Sequence, residues 1–162
     1  MAQPDALERI LPDAQATESC GAALAPYCYG AVIYLEGDLG AGKTTLSRGL
    51  LRALGISGAV KSPTFSIVEI YALPCVTVFH LDLYRLSDPE EVMYLGIEDQ
   101  RGADDVLLIE WPDHGRGALP PADLIIELSH RGDRRLLRAT AMTAKGGELL
   151  GAIRSASEPR SG

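Results

Sequence analysis

The chain has 162 residues, is 46% apolar and carries a formal net charge of −7 with an isoelectric point near 4.9. That length and composition suit one folded domain with a substantial core, while the acidic balance argues against a protein that grips a nucleic-acid backbone unaided, because phosphate contacts need clustered Lys and Arg. No run of eighteen apolar residues marks a membrane-spanning helix, and Cys20, Cys28 and Cys75 lack the paired spacings of a zinc site, so reduced thiols in a soluble, cytoplasmic protein are expected.

Pro4 and Pro12 predict an irregular or partly helical lead over residues 1–14, followed by a helix from about Gln15 to Pro26 with a weak apolar face. Residues 31–36, rich in Val, Ile and Tyr, read as a buried strand. Directly after it, Gly37-Asp38-Leu39-Gly40-Ala41-Gly42-Lys43-Thr44 matches G-x-x-x-x-G-K-[ST] at every fixed position. Its glycines allow backbone N–H groups to turn inward around phosphate oxygens at a helix N-terminus that favours negative charge. Residues Asp38, Leu39, Gly40, Ala41, Gly42, Lys43, Thr44 and Thr45 are therefore the predicted cradle for a nucleoside triphosphate. Lys43 is expected to reach the β- and γ-phosphates, and Thr44 to ligate Mg²⁺. An ordinary glycine-rich turn is the alternative; the flanking strand and helix weigh against it.

Leu46, Leu50, Leu51 and Leu54 predict a helix with one buried face, ended by Gly55. A loop follows from Gly58 to Thr64. Residues 65–71 and 76–81 are β-rich runs that read as antiparallel neighbours. Asp88-Pro89-Glu90-Glu91 opens a helix with Asp88 as N-cap, Pro89 at its first position and Glu91 at the capping-box position. Residues 106–111 form a continuous apolar strand carrying Glu110 near its end, and residues 112–121 a loop. Two further strands, 124–128 and 134–141, pair through His130-Arg131-Gly132-Asp133, and residues 148–153 amount to one helical turn.

This order predicts an α/β fold of the P-loop NTPase type: a central, mostly parallel sheet extended by antiparallel strands, with helices on both faces and the nucleotide at the carboxyl ends of the parallel strands. One domain is expected over residues 1–154, with 155–162 a flexible polar tail.

A phosphate loop needs a carboxylate that holds Mg²⁺ directly or through water, usually at the end of a neighbouring buried strand. Asp82 and Glu110 both end such strands. Asp82 is the candidate metal ligand, with capping of the turn at 83–85 as the alternative reading. Glu110 is either a second metal-shell ligand or the group that positions the attacking water, unless it is a solvated strand terminus. Thr64 is a candidate γ-phosphate sensor, or simply a β-branched residue starting a strand. His80 shares a sheet face with Asp82 and either orients the site or is a satisfied core histidine. Trp111 is either a rim residue that serves a partner or a core aromatic. His114 and His130 receive no chemistry. Arg131, Arg134, Arg135 and Arg138 form the one basic cluster, read as a solvated face or a partner or RNA contact.

Taken together, residues 35–45 (Leu-Glu-Gly-Asp-Leu-Gly-Ala-Gly-Lys-Thr-Thr), Ser62-Pro63-Thr64-Phe65, residues 80–86 (His-Leu-Asp-Leu-Tyr-Arg-Leu) and residues 108–112 (Leu-Ile-Glu-Trp-Pro) resemble the bacterial TsaE family, also called YjeE, in order and spacing. The resemblance spans roughly residues 15 to 130 and implies a small P-loop ATPase in threonylcarbamoyladenosine biosynthesis on tRNA. It implies ATP and Mg²⁺ as cofactors, TsaB and TsaD as transferase partners, and tRNA reached indirectly through that complex, with no membrane. It places Lys43 on the phosphates, Thr44 and Asp82 on Mg²⁺, Glu110 in hydrolysis, residues 62–65 in a switch-like loop and Trp111 at a rim or partner contact. A small-molecule kinase remains the alternative; it needs an arginine-bearing lid, for which Asp99-Gln100-Arg101-Gly102 is the candidate. A guanine switch of the ordinary kind is disfavoured, since the chain contains no asparagine for an Asn-Lys-x-Asp motif, while a non-hydrolysing ATP sensor survives as a third reading.

Overall fold

The structure, a computed structural model, describes residues 5–60, 63 and 66–156. It is built on a seven-stranded sheet: β1 (Ala6–Leu11), β2 (Val32–Glu36), β3 (Val68–Ala72), β4 (Thr77–Asp82), β5 (Val106–Glu110), β6 (Leu124–Arg131) and β7 (Arg134–Ala141), in the spatial order β1-β7-β6-β2-β5-β4-β3. The four central strands β6, β2, β5 and β4 run parallel, while β3 pairs antiparallel on one edge and β7 and β1 extend the other edge antiparallel. That is the predicted parallel core with antiparallel extensions. The hairpin of β3 and β4 and the β6–β7 pair, turned at Gly132 and Asp133, also form as expected.

Alternation along the strands divides the core in two. Ile33, Leu35, Val78, Leu108 and Ile126 face one side, where they meet α1 (Ala14–Ala23), α2 (Lys43–Ala53) and α4 (Ala144–Ala156) through Cys20, Leu46, Leu50, Leu149 and Ile153. Val32, Phe79, Leu81, Leu107 and Ile109 face the other, covered by a 3-10 turn at Pro89–Leu95, the four-residue α3 (Ile97–Gln100) and the segment after β5. Helical segments thus lie on both faces, but all the long ones share one.

Three expectations are corrected. The lead over residues 1–14 contains a strand, β1, because Pro4 and Pro12 bracket Ala6–Leu11 rather than interrupt it, and β7 offers an edge for pairing. The segment after Asp88 winds as a 3-10 turn closed by Gly96 at φ +67°; Asp88 caps it through a 2.9 Å bond from the Glu90 N–H, and Glu91 accepts from Ser87 Oγ instead of completing a capping box. The expected single turn at 148–153 is the 13-residue helix α4. Gly146, Gly147 and Gly151 lower its intrinsic propensity, but Thr143 Oγ1 accepts from the Gly146 N–H, and a Cβ at Gly146 would stand 1.7 Å from the Asp123 carbonyl oxygen. Packing, not propensity, specifies that helix, which runs two residues into the expected tail; residues 157–162 lie outside the described residues.

Among the described residues, no helix is long and apolar enough to cross a membrane. The three cysteines are free thiols, Cys20 and Cys28 buried and Cys75 exposed, and burial pushes the Cys28 thiol up to about 11.

Candidate functional site

The site assembles where the loop after β2 meets the carboxyl ends of β4 and β5. The chain leaves the sheet at Gly37, where a Cβ would lie 2.3 Å from the Leu128 carbonyl oxygen on β6, so only glycine permits this exit. The loop then enters α2 through Gly42 at φ +112°, a left-handed conformation that disfavours other residues. No side chain caps α2, which leaves the N–H groups of its first turn and the positive end of its dipole without a side-chain hydrogen bond at the cap.

A cavity of about 290 Å³ opens there, lined by Leu39, Gly40, Gly42, Lys43, Thr44, Thr45, Asp82, Glu110 and Trp111. Eight of the predicted site residues and the rim tryptophan therefore do not need to be searched for across the molecule; they share one recess. Ala41 is instead packed into the core, and Asp38 contributes backbone: its carbonyl accepts from the Ala41 N–H at 3.1 Å and from Lys43 Nζ at 3.3 Å. Thr64 lies outside the described residues.

Lys43 is only 5% exposed, an unusual state for lysine. Its ammonium donates to the Gly37 and Asp38 carbonyls and sits 4.2 Å above the Trp111 ring. Burial lowers its pKa from the ordinary 10.5, with Glu110, Asp82 and Asp38 pulling the other way.

Asp82 and Glu110 stand directly opposite each other on adjacent parallel strands. Asp82 Oδ1 accepts from the Tyr84 N–H at 3.0 Å, so Asp82 caps the turn after β4 and lines the cleft at once. Glu110 is 2% exposed, which removes the reading of a solvated strand end. Its Oε2 lies 2.8 Å from Nε2 of His80, a fully buried ring. Trp111, at φ +56°, packs against Tyr84 at 5.0 Å and His114 at 5.7 Å between ring centroids. His114, given no chemistry from sequence, anchors this aromatic rim through a 2.8 Å contact from Nδ1 to the Leu83 carbonyl.

A second recess of about 130 Å³ lies across the loop, lined by Leu11, Asp13, Ala14, Thr17, Gly40, Gly42, Thr45, Asp133 and Arg135. Sequence reasoning missed it because β1 and the β6–β7 turn contribute to it from opposite ends of the chain; Arg135 reaches the Gly40 carbonyl at 3.5 Å. Arg138, from the same basic cluster, is paired with Glu8.

The comparisons with known proteins agree with one another. A family model described as threonylcarbamoyl adenosine biosynthesis protein TsaE matches residues 11–137. The tRNA threonylcarbamoyladenosine biosynthesis protein TsaE of Haemophilus influenzae is 46% identical over 122 residues, covering 75% of this chain and 77% of the relative. Its counterpart from Synechocystis is 45% identical over 114 residues, covering 67% and 72%. The crystal structure of Bacillus subtilis YdiB superposes with a TM-score of 0.80 at 27% identity, covering 98% of this chain and all of that one.

Proposed function

This chain belongs to the TsaE family, and on that premise we propose that it is the ATP-binding and ATP-hydrolysing subunit of the machinery that installs threonylcarbamoyl on the adenosine next to the tRNA anticodon. The observation that carries this reading is the convergence of Lys43, Thr44, Asp82 and Glu110 on one cleft at an uncapped helix N-terminus.

The residues present fit Mg·ATP. The N–H groups at the start of α2 and the buried Lys43 ammonium suit a polyphosphate. Thr44 and Asp82 supply the oxygen donors that Mg²⁺ prefers, and one or two carboxylates suffice because the ion keeps waters and phosphate oxygens as its other ligands. When bound, Mg²⁺ supplies neutralisation of charge on the transferring phosphoryl group. Lys43 exchanges its bonds to the Gly37 and Asp38 carbonyls for phosphate oxygens. Glu110, fixed across from Asp82, orients the attacking water, and Trp111, braced by Tyr84 and His114, walls one side of the cleft.

In this reading hydrolysis drives or resets turnover of the TsaB and TsaD transferase, and the net charge of −7 fits a subunit that meets tRNA only through those partners. The kinase alternative gains nothing from its candidate lid: Arg101 is engaged by Glu98 at 3.4 Å, and α3 packs on the sheet face opposite α2. The test is a reconstituted tRNA modification assay with both partners. Lys43→Ala and Asp82→Ala are each expected to abolish multiple-turnover modification; full modification by either overturns the ATP-dependent role. Release of inorganic phosphate without a phosphorylated acceptor separates ATPase from kinase.

A further inference from the structure

His80 is fully buried on β4, on the α2 side of the sheet, between Val78 and Asp82 along that face of the strand. An apolar side chain would satisfy the core there. The imidazole instead brings two polar nitrogens: Nε2 lies 2.8 Å from Glu110 Oε2, and Nδ1 is buried with no hydrogen-bond partner among the described residues. An unmet buried polar atom costs about 1–3 kcal/mol, so core packing alone does not account for histidine at this position.

An ionised carboxylate only accepts, so the 2.8 Å contact has the His80 Nε2–H donating to Glu110 Oε2. That bond engages one carboxylate oxygen and restricts rotation of a side chain that lines the cleft. Of the described residues, none donates to Glu110 Oε1.

We propose that His80 is a positioning residue that holds Glu110 by one oxygen and leaves the other for the water in the cleft. This rests on the reading of the cleft as an ATPase site. The role predicts an effect on the chemical step rather than on nucleotide binding, since His80 itself does not reach the cleft lining.

The experiment compares the native chain with His80→Gln, His80→Asn and His80→Leu. A glutamine amide N–H reaches the place of Nε2; an asparagine amide ends near Nδ1 and does not. Single-turnover ATP hydrolysis, with the chain in excess and with partners present, is expected to fall about 10–100-fold in His80→Leu and His80→Asn, and to recover to within about fivefold of native in His80→Gln, the range seen when outer-shell partners are removed. Mg·ATP affinity, read from the fluorescence of Trp111, the sole tryptophan, is expected to stay close to native in all three, since the bond acts on the chemical step. In the nucleotide-free native chain, ¹⁵N NMR is expected to show a proton on His80 Nε2.

Native-like hydrolysis by His80→Leu or His80→Asn overturns the proposal, as does equal impairment of His80→Gln and His80→Asn, or an Nε2 found without a proton. Should His80→Leu fail to fold, the ratio between the glutamine and asparagine variants decides. If Glu110→Gln hydrolyses ATP as fast as the native chain, the ATPase reading of Glu110 fails and the role of His80 falls with it; a slow Glu110→Gln beside fast His80 variants rejects the role of His80 alone.

Discussion

The sheet face under α1, α2 and α4 is sealed by long helices and holds Leu35, Leu50, Leu108 and Ile126 with no measurable exposure; the opposite face is covered by a 3-10 turn, a four-residue helix and a loop, and retains an apolar recess of about 380 Å³ between Leu81, Val92, Ile97 and Leu119. The buried polar groups fall on the sealed side: His80, Asp82 and Glu110 share strand parity with Val78 and Leu108, and Lys43 and Ser47 belong to α2. Dense packing is what allows charges to be held at fixed positions away from bulk solvent, where electrostatic interactions are stronger. The thinner face carries exposed Met93 and Tyr94 and none of these groups. Rigidity and chemistry go together here, and the division can be attacked from either side.

The largest expected effect follows from removing the charge at the centre of the sealed side. Lys43→Met keeps the apolar stem and deletes the ammonium. Hydrolysis is expected to fall by about 10²–10³-fold, the scale for loss of one well-placed electrostatic donor. Stability should move the other way. The folded-state pKa of Lys43 lies below 10.5, chiefly through burial, so the charged form opposes folding at every pH below that folded value. The methionine variant should therefore melt higher than the native chain near neutral pH, and the gap should close as pH rises through the folded pKa towards 10.5. A lower melting temperature at neutral pH would mean that the lysine is a structural element of the loop.

Truncation compares the two faces directly. Leu50→Ala on α2 removes a side chain with no exposure from a site that the closely packed α1–α2 pair keeps from collapsing, and about 3–5 kcal/mol is expected in denaturant unfolding. Leu86→Ala, on the thin face and 8% exposed, should cost about 1–2 kcal/mol, because short turns can relax into the space. Equal losses would dissolve the distinction.

Glycines give a test whose sign differs within one face. A Cβ at Gly49 would stand 2.0 Å from the Glu18 carbonyl oxygen, and one at Gly21 2.0 Å from that of Leu46, so α1 and α2 touch through their backbones. Gly49→Ala should cost about 2 kcal/mol or more by overpacking, although alanine is the better helix former. At Gly151 in α4 nothing lies within 4 Å of the added carbon, and Gly151→Ala should stabilise by about 0.5–1 kcal/mol. Thermal melts of the two variants read both signs.

These glycines also mark where the sequence stops being legible. The glycine-rich loop, the strands around it, the mostly parallel character of the sheet and the strand-end positions of Asp82 and Glu110 follow from motifs and apolar runs, which are local. The bond between His80 and Glu110 joins neighbouring strands, and no spacing within either strand announces it. β1 was hidden because its residues are half exposed on an edge, and α4 because Gly146 answers to Asp123 and Ala141 rather than to helix propensity. The recess with Arg135 exists only once β1 and the β6–β7 turn are brought to the loop. Local chemistry is written in adjacent residues; chemistry shared between elements needs the register.

The smallest effect concerns the residue that precedes Gly37. Glu36 has the parity of Val32 and Tyr34 and so points to the thin face, one position before the chain turns into the cleft. Burial raises its pKa from 4.5, Asp113 and Glu127 add to the rise, and Arg116 opposes it. A carboxyl group with a raised folded pKa carries a charge that disfavours the fold once pH exceeds 4.5, and the full penalty is present above the folded value. Glu36→Gln should then raise stability at neutral pH by about 0.5 kcal/mol or less, since nearby solvent screens the repulsion, and the gain should vanish as pH falls to 4.5. Hydrolysis should change less than in Lys43→Met, because Glu36 does not line the cleft. A loss of hydrolysis as deep as that of the lysine variant would tie the thin face to the chemistry and break the separation between the two sides of the sheet.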